Sequence, residues 1–577
     1  MDNKILKRYM MLSFADDELR EYLGKDIIKA LIEWKNENEL LFTKSRLSEM
    51  IISIYGLSVL KNQEFRRKLL REVEKEKIEK FKEVLPKKYA NETDLEKLKI
   101  IISKQPWKPS PVTELFLEIL GYKEEMVFNR EEAITCINQI KSYEKFYELL
   151  DYQYIIRQKA LTRLTSGEEL VRMLIHMPTG TGKTKTATHI VAHHYNYNLN
   201  KQGLVIWIAH TEELLEQAYE TFEQVWRHIG NGEIKTYRLY GKFDIDKEEE
   251  LNGFMICGID KLESIYSKNK ELFEKIKNNV RLIIYDEAHK ASAPVSKKII
   301  QELMIKKANM VDRALIGLSA TPGRNGEISF DNDLLIEMFG GRKIKVEPEL
   351  INKVNYSEEE ALNMKYSKDI IKYFQERKVL SKLVKEELTY EEDISDNELT
   401  KIRDHITENE YEGDFSLKEL EIIGKNRNRN LKILQRLIEL NEENKPTIVF
   451  ACSVRHAQLL SAMLKLHGIQ NALVVGDMST AERKNSISSF KDRENNVNII
   501  INYGVLTTGF DSTNIECVFI ARPTQSIVLY SQMIGRGLRG PKMGGNEECL
   551  LIDVKDNLNI YDEHMAFSKF DNYWKGL

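Results

Sequence analysis

Three short groups of residues in this chain have the types and spacing that phosphate chemistry needs. The first is Met177-Pro178-Thr179-Gly180-Thr181-Gly182-Lys183-Thr184. Gly180, Thr181 and Gly182 are small enough for consecutive backbone N–H groups to turn inward and form a nest for the phosphates of a nucleoside triphosphate. Lys183 carries a positive charge to the β- and γ-phosphates, and the Thr184 hydroxyl is placed to ligate Mg²⁺. Such a loop ordinarily begins with Gly, and here Met177 holds that place. The second group is Asp286-Glu287-Ala288-His289, which directly follows the apolar run Ile283-Ile284-Tyr285. Two adjacent carboxylates mean little alone. Downstream of a phosphate loop they have a use: Asp286 holds the metal shell beside Thr184, and Glu287 orients and deprotonates a water. The third is Ser319-Ala320-Thr321-Pro322, again at the end of an apolar run, where the hydroxyls of Ser319 and Thr321 can link the carboxylate pair to a moving interface.

Groups this far apart in the chain need a scaffold that brings them to one edge. From 145 to about 345, short apolar runs at 204–209, 254–259, 282–285 and 314–318 alternate with helical patterns, and each run ends in a polar cluster. That layout predicts a parallel sheet with its chemistry at the carboxyl ends of the strands. The same alternation returns from about 431 to 560, with strand candidates at 447–451, 472–475, 497–502, 517–521 and 549–554. Before the first unit, residues 1–135 repeat apolar side chains at helical spacing, as in Ile27, Ile28, Leu31 and Ile32. Residues 61–92 mix Lys, Arg and Glu densely, as a solvated helix with ion pairs would, or a basic face for nucleic acid or a partner. Residues 346–430 are long, charged and poor in β-branched runs, which reads as a helical insert or linker. The division expected is a helical accessory domain at 1–135, a first α/β lobe at 136–345, the insert at 346–430 and a second α/β lobe at 431–577. The aromatic-rich tail after 560 is expected to pack back on the core.

Composition narrows the class further. With 577 residues, 42% hydrophobic and 31% charged, the chain is long enough for three to four domains of typical size and reads as soluble. It has neither an apolar run that would span a bilayer nor the layout of a signal peptide at Met1-Asp2-Asn3-Lys4, so a cytoplasmic location and no membrane partner are expected. The five cysteines are scattered without a Cys-x-x-Cys pair, which argues against a zinc ribbon, an iron–sulfur cluster or a disulfide framework. His189 and His193 stand four apart on a predicted helix, but the residues between them hold no Glu and no third ligand is evident, so a structural role is expected. The net charge of −4 announces no nucleic-acid partner, and any such partner must be held by a local groove.

Taken in order, the motifs resemble those of superfamily 2 helicases, of the DEAH type, similar to bacterial restriction-type and repair-type DNA motors. Residues 177–184 resemble motif I, whose first position is often not Gly in this superfamily, and Asp286–His289 resembles motif II. Ser319-Ala320-Thr321 resembles motif III, and Ala209-His210-Thr211-Glu212 resembles motif Ia. Gly258-Ile259-Asp260-Lys261-Leu262 resembles motif Ic with Gly258 in place of the usual Thr. Asp151-Tyr152-Gln153 resembles the Q motif, with Gln158 a competing candidate for the adenine-reading amide. In the second unit, 448–453 resembles motif IV, Thr507-Thr508-Gly509-Phe510-Asp511 motif V, and Gln532-Met533-Ile534-Gly535-Arg536-Gly537-Leu538-Arg539 motif VI.

The resemblance implies two tandem RecA-like lobes with ATP and Mg²⁺ in the cleft between them. It implies that Lys183, Asp286, Glu287, Arg536 and Arg539 carry the chemistry, with Arg539 the arginine finger and Arg536 its phosphate-binding companion. It implies that Gln153, Gly180, Thr181, Gly182, Lys183, Thr184, Gly509 and Asp511 contact the nucleotide, with Thr184 and Asp286 on the metal. His289, Ser319, Thr321 and Gln532 would couple the lobes, and His210, Thr211, Ser453 and Thr507 would bind the strand. The expected activity is ATP-driven movement on nucleic acid, DNA favoured over RNA, in a setting such as defence against foreign DNA. A second reading is a nucleic-acid-gated ATPase switch within a larger defence or repair complex, with residues 1–135 docking a protein partner.

Overall fold

The computed structural model describes residues 4–33, 42–89, 92–122, 136–142, 148–168, 170–246, 249–305, 313–320, 330–348, 370–390, 414–476, 478–507, 509–510, 512–524, 526–554 and 575–576. Their strands, in chain order, are β1 (Ile137–Lys141), β2 (Leu170–His176), β3 (Leu204–Ala209), β4 (Glu233–Leu239), β5 (Gly253–Gly258), β6 (Val280–Asp286), β7 (Arg313–Ser319), β8 (Arg342–Lys345), β9 (Lys382–Leu388), β10 (Thr447–Phe450), β11 (Asn471–Val474), β12 (Ile499–Asn502), β13 (Cys517–Ile520), β14 (Glu548–Val554) and β15 (Lys575–Gly576). They form two sheets, ordered β1-β4-β5-β3-β6-β7-β2-β8-β15 and β11-β12-β10-β13-β14-β9. Apart from the antiparallel β1–β4 pair, the named strand pairs are parallel. The expected pair of α/β units is therefore present.

Alternation along the buried strands divides the first lobe into two layers. All six residues of β3 are buried; Val205, Trp207 and Ala209 join one core, while Leu204, Ile206 and Ile208 join another on the opposite face. A strand covered by helices on both faces is apolar at every position, which is why these runs stood out in the sequence. Each fully buried Val, Ile or Leu contributes roughly 1.5–3 kcal/mol of transfer free energy.

The second lobe divides the same way, but one of its faces belongs to the N-terminal helices. Ile448 and Phe450 of β10 pack toward the first lobe's core, whereas Val449 shares a core with Leu47, Met50, Ile51 and Ile54 of the helix Lys44–Tyr55. Polar contacts fasten the same seam. Arg46 Nη1 donates to the Leu466 carbonyl (3.0 Å), and the Ser58 N–H donates to Glu482 Oε1 (3.0 Å). Glu482 also closes the cap of the helix Thr480–Lys491 by accepting from the Ser479 N–H (3.0 Å). Glu482→Ala therefore removes a cap and leaves a buried-side donor at Ser58 unpaired; a loss of about 1–3 kcal/mol is expected in urea unfolding. An unchanged midpoint would show that this seam does not hold the helical region on the second lobe.

Three expectations need correcting or narrowing. The reading of 346–430 as helical misses β9, which pairs in parallel with β14 at the edge of the second sheet. Its sequence, Lys-Leu-Val-Lys-Glu-Glu-Leu, is charged because an edge strand is shielded on one side only, so it lacks the apolar run of a central strand. Residues 349–369 and 391–413 of that stretch lie outside the described residues. Of the tail, only Lys575 and Gly576 are described, paired with β8 in the first sheet. The charged run at 61–92 is not wholly solvated: Arg66 is buried and donates to the carbonyls of Leu60, Lys61, Ser103 and Gln105. Four cysteines are buried thiols, and Cys136 is half-buried. Among the described residues, no helix is long and apolar enough to cross a membrane.

Candidate functional site: a cleft between two lobes

Strand order explains why the phosphate loop and the carboxylates meet. β6, β7 and β2 are neighbours, and their ends are level: Asp286 pairs with Leu318, and His176 with Ser319. The loop after β2 thus lies beside the Asp286-Glu287 corner. Gly180 and Gly182 have φ of +85° and +78°, left-handed conformations that bring the backbone into the helix Lys183–His193. Met177 is fully buried in the core and its N–H donates to the Ser319 carbonyl (3.2 Å), so an apolar side chain fits the place where Gly is usual. Thr181 is buried and turns its hydroxyl to the Pro178 carbonyl (2.7 Å). Thr184 is half-buried in the first turn of the helix.

Lys183 Nζ lies 3.6 Å from Glu287 Oε1, with both side chains 13% exposed, so the two point into one nearly enclosed space. Glu287 has φ of +51°, unusual for a non-glycine residue, and its N–H donates to Asp286 Oδ1 (2.9 Å). His289 Nδ1 stands 3.3 Å from Glu287 Oε2. Burial raises the Asp286 carboxyl above its usual range; Lys183 opposes that and the neighbouring Glu287 charge adds to it. Burial works against ionisation of Glu287 too, but Lys183, His289, Lys290 and Arg536 outweigh it and hold its carboxyl below the usual glutamate range. The two carboxyls are thereby pushed in opposite directions, Asp286 upward and Glu287 downward.

The second lobe closes this space from the other side. The helix Ile527–Ile534 carries Gln532 and leads into Arg536 and Arg539. Arg536 donates to the carbonyls of Phe510 and Thr507, the latter at 2.9 Å, and its charge is felt by Glu287 of the first lobe. Burial lowers both guanidiniums to about 10, so both stay positive at neutral pH. A Cβ at Gly180 would stand 3.7 Å from Arg539 Cγ, which places that arginine against the phosphate loop. Gln532 Nε2 is buried with no protein partner among the described residues. These features fit a triphosphate: a left-handed glycine cradle, a lysine, two arginines and an orphan amide. They also fit Mg²⁺. Thr184 and Asp286 offer hard oxygen donors, few enough for the ion to keep its waters. Among the described residues, no three His, Cys, Asp or Glu side chains gather as a protein-only metal cage would require.

The other expected residues divide into groups. Gln153 is 1% exposed; its Oε1 accepts from the Leu150 N–H (3.0 Å) and its Nε2 donates to the Thr181 carbonyl (2.9 Å). It therefore clamps the phosphate loop. Gln158, the competing candidate, is exposed-side and bonds Tyr154 OH (2.7 Å). Ser319 is buried at the end of β7, while Thr321 and Asp511 lie outside the described residues.

Gly509, expected on the nucleotide, lies instead against Glu213 of the first lobe, where its Cβ position is 2.9 Å from Glu213 Cβ. It lines a separate groove of about 1590 Å³ together with His210, Thr211, Gly258, Lys261 and Lys491. No phosphate-loop residue lines that groove. His210 Nε2 is held 2.8 Å from Tyr285 OH. Thr211 and Ser453 cap the helices Glu212–Ile229 and Val454–Leu466, each accepting an N–H through its hydroxyl oxygen, which keeps the O–H as a donor. Neither Ser453 nor Thr507 lines the groove, and both are buried. The groove's charge is mixed: Glu213 pairs with Arg483 across the lobes, and Glu216 with Arg238. Sequence reasoning missed Arg483, because a lone Arg within Thr-Ala-Glu-Arg-Lys carries no motif.

Comparison with known proteins decides the family. The family model described as the type III restriction enzyme res subunit matches residues 146–324, and the helicase conserved C-terminal domain matches 429–540. The two models cover, in order, the lobes that face each other across this cleft. The chain belongs to the superfamily 2 helicases. This superfamily 2 chain is 26% identical to the candidate ATP-dependent helicase IRC3 of Saccharomyces cerevisiae, over 72% of this chain and 53% of that protein. It thus spans about half the length of that relative. It is 24% identical to the ATP-dependent DNA helicase uvsW of Enterobacteria phage T4, over 29% of this chain and 34% of that one. The Hef helicase domain of Pyrococcus furiosus aligns with a TM-score of 0.41 at 17% identity, covering 74% of this chain and 98% of that one.

Proposed function

We propose that this chain hydrolyses ATP between its lobes and uses the cycle to move along DNA, as a helicase or translocase of the DEAH type. The observation that carries the reading is the cleft itself, where Lys183 and Glu287 of one lobe face Arg536 and Arg539 of the other. Lys183 and the N–H groups of Gly180, Thr181 and Gly182 hold the phosphates. Thr184 and Asp286 would hold Mg²⁺, which when bound would supply positive charge against the phosphate oxygens. Glu287, kept ionised by Lys183 and His289, orients a water and takes its proton. Arg539 offsets charge on the transferred phosphoryl group, and Arg536 ties the same site to the motif V carbonyls. Because each lobe holds half of the site, binding favours the closed cleft and product release lets it open.

The groove lined by His210, Thr211 and Gly509 supplies the track for the strand. Hydroxyl donors and helix N-termini contact phosphates there without demanding a strongly basic surface, which agrees with a net charge of −4. The likeness to a relative named as a DNA helicase favours DNA over RNA. The test is ATPase activity measured side by side with single-stranded DNA, duplex DNA and RNA, followed by strand separation. Stimulation of about tenfold or more by DNA is expected, with ATP-dependent unwinding or displacement of a bound block. Stimulation without movement would favour the gated-switch reading, and stimulation by RNA alone would overturn the DNA assignment.

A further inference from the structure

One segment of the chain touches both halves of the nucleotide cleft. The helix Ile370–Glu376 lies on the first lobe, where Phe374 meets Tyr152 edge to face (centroids 4.8 Å apart). Arg377 Nη2 then lies 2.6 Å from Asp151 Oδ2, in the first turn of the helix that carries Gln153. Leu380 reaches the phosphate loop, its Cδ2 lying 3.2 Å from a Cβ position at Gly180. The next residues leave the first lobe and become β9 of the second sheet. At the crossing, the backbone is laced to the stretch around Arg539. The Ser381 N–H donates to the Leu538 carbonyl (3.0 Å), the Gly540 N–H to Val379 (2.9 Å) and the Lys542 N–H to Lys378 (2.9 Å). Leu380 and Arg539 form an antiparallel bridge. Ser381 is 1% exposed, and its Oγ stands 2.6 Å from the Arg539 carbonyl oxygen and 2.7 Å from that of Asn546.

We propose that residues 377–381 form a strap in which Ser381 is a positioning residue for Arg539, and that the Arg377–Asp151 ion pair sets the strap from the first lobe. The proposal rests on the reading of Arg539 as the phosphate-facing arginine. The Ser381 hydroxyl has a single hydrogen, shared between the Arg539 and Asn546 carbonyl oxygens, and it adds to the bond that the Asn546 N–H already donates to the Arg539 carbonyl (3.0 Å). That bridge pins the backbone of Arg539 and leaves only its side chain to be aimed. A Cβ at Gly545 would stand 2.0 Å from the Arg539 carbonyl oxygen, so the wall behind that carbonyl is closed to any larger residue. The strap's other end is held by Asp151, two residues before the Gln153 that clamps the phosphate loop. A shift of that loop on nucleotide binding is thus carried to the arginine through one short covalent segment, without passing through either sheet.

The experiment is a double-mutant cycle on the full chain, read as kcat and KM for ATP with folding checked by thermal midpoint. Ser381→Ala should lower kcat about tenfold while KM stays within about twofold, because the phosphate cradle is untouched. Arg539→Ala alone should lower kcat by about a thousandfold. Ser381→Ala in the Arg539→Ala background should then do nothing further. Arg377→Gln, with its fold checked by the same thermal midpoint, should lower kcat in the same non-additive way. Full kcat in both strap variants, or a loss that adds to that of Arg539→Ala, would overturn the strap. Wild-type turnover in Arg539→Ala would instead remove the arginine assignment itself.

Discussion

Lys183→Ala should abolish ATP turnover, with a fall of about a thousandfold or more against the intact chain. Two losses combine in that one change. The phosphates lose the cation aimed at them from the start of the helix Lys183–His193. Glu287 loses its partner at 3.6 Å, and with it the largest of the charges that hold its carboxyl ionised against burial. The structure contains no second lysine in the loop to substitute, since Lys185 turns to the Glu148 carbonyl (2.6 Å). The variant should bind labelled ATP weakly as well as fail to hydrolyse it. Turnover within a few-fold of the parent would place the nucleotide elsewhere.

Glu287→Gln separates binding from chemistry. The amide keeps the size of the side chain, and the left-handed backbone at φ +51° is set by the corner after β6 rather than by the carboxylate. ATP affinity should stay within a few-fold, while hydrolysis falls by about 10²–10⁴ because no group remains to take the proton from water. The closed form should accumulate, visible as nucleotide-dependent energy transfer between dyes on the two lobes that no longer decays with time. Surviving turnover would show that Glu287 is not the base. Thermal stability should fall as well, because the amide leaves Lys183 in a nearly enclosed place without the carboxylate that balances it.

The residues of the phosphate loop, the carboxylate corner and the paired arginines were legible because their chemistry demands neighbours in sequence. A nest needs consecutive N–H groups, and the two arginines stand only three apart, although the helix on which that spacing would place them ends at Ile534, before either. The central strands were legible as well: β3, β6 and β7 are covered on both faces and therefore apolar throughout. β4, β8 and β9 were not, because Glu-Ile-Lys-Thr-Tyr-Arg-Leu, Arg-Lys-Ile-Lys and Lys-Leu-Val-Lys-Glu-Glu-Leu carry the charges of strands near sheet edges or in half-exposed places. Gln153 stood out by its Asp-Tyr context, yet its two bonds to Leu150 and Thr181 are invisible in sequence. The same holds for Gly509, whose motif pointed to the nucleotide and whose backbone lies against Glu213.

By itself, then, the sequence determined which local groups can hold a triphosphate, ionise a water and stabilise transferred charge, because each is built from residues a few positions apart. Only the tertiary structure decided which of them meet. The order β6-β7-β2 brings Glu287 to Lys183. The packing of one face of the second sheet into the first lobe's core brings Arg536 and Arg539 over the loop. The opposite face of that sheet is spent on the N-terminal helices, and the strap at 377–381 crosses between the lobes. These are contacts between positions hundreds of residues apart, fixed by the burial of whole sheet faces rather than by any motif.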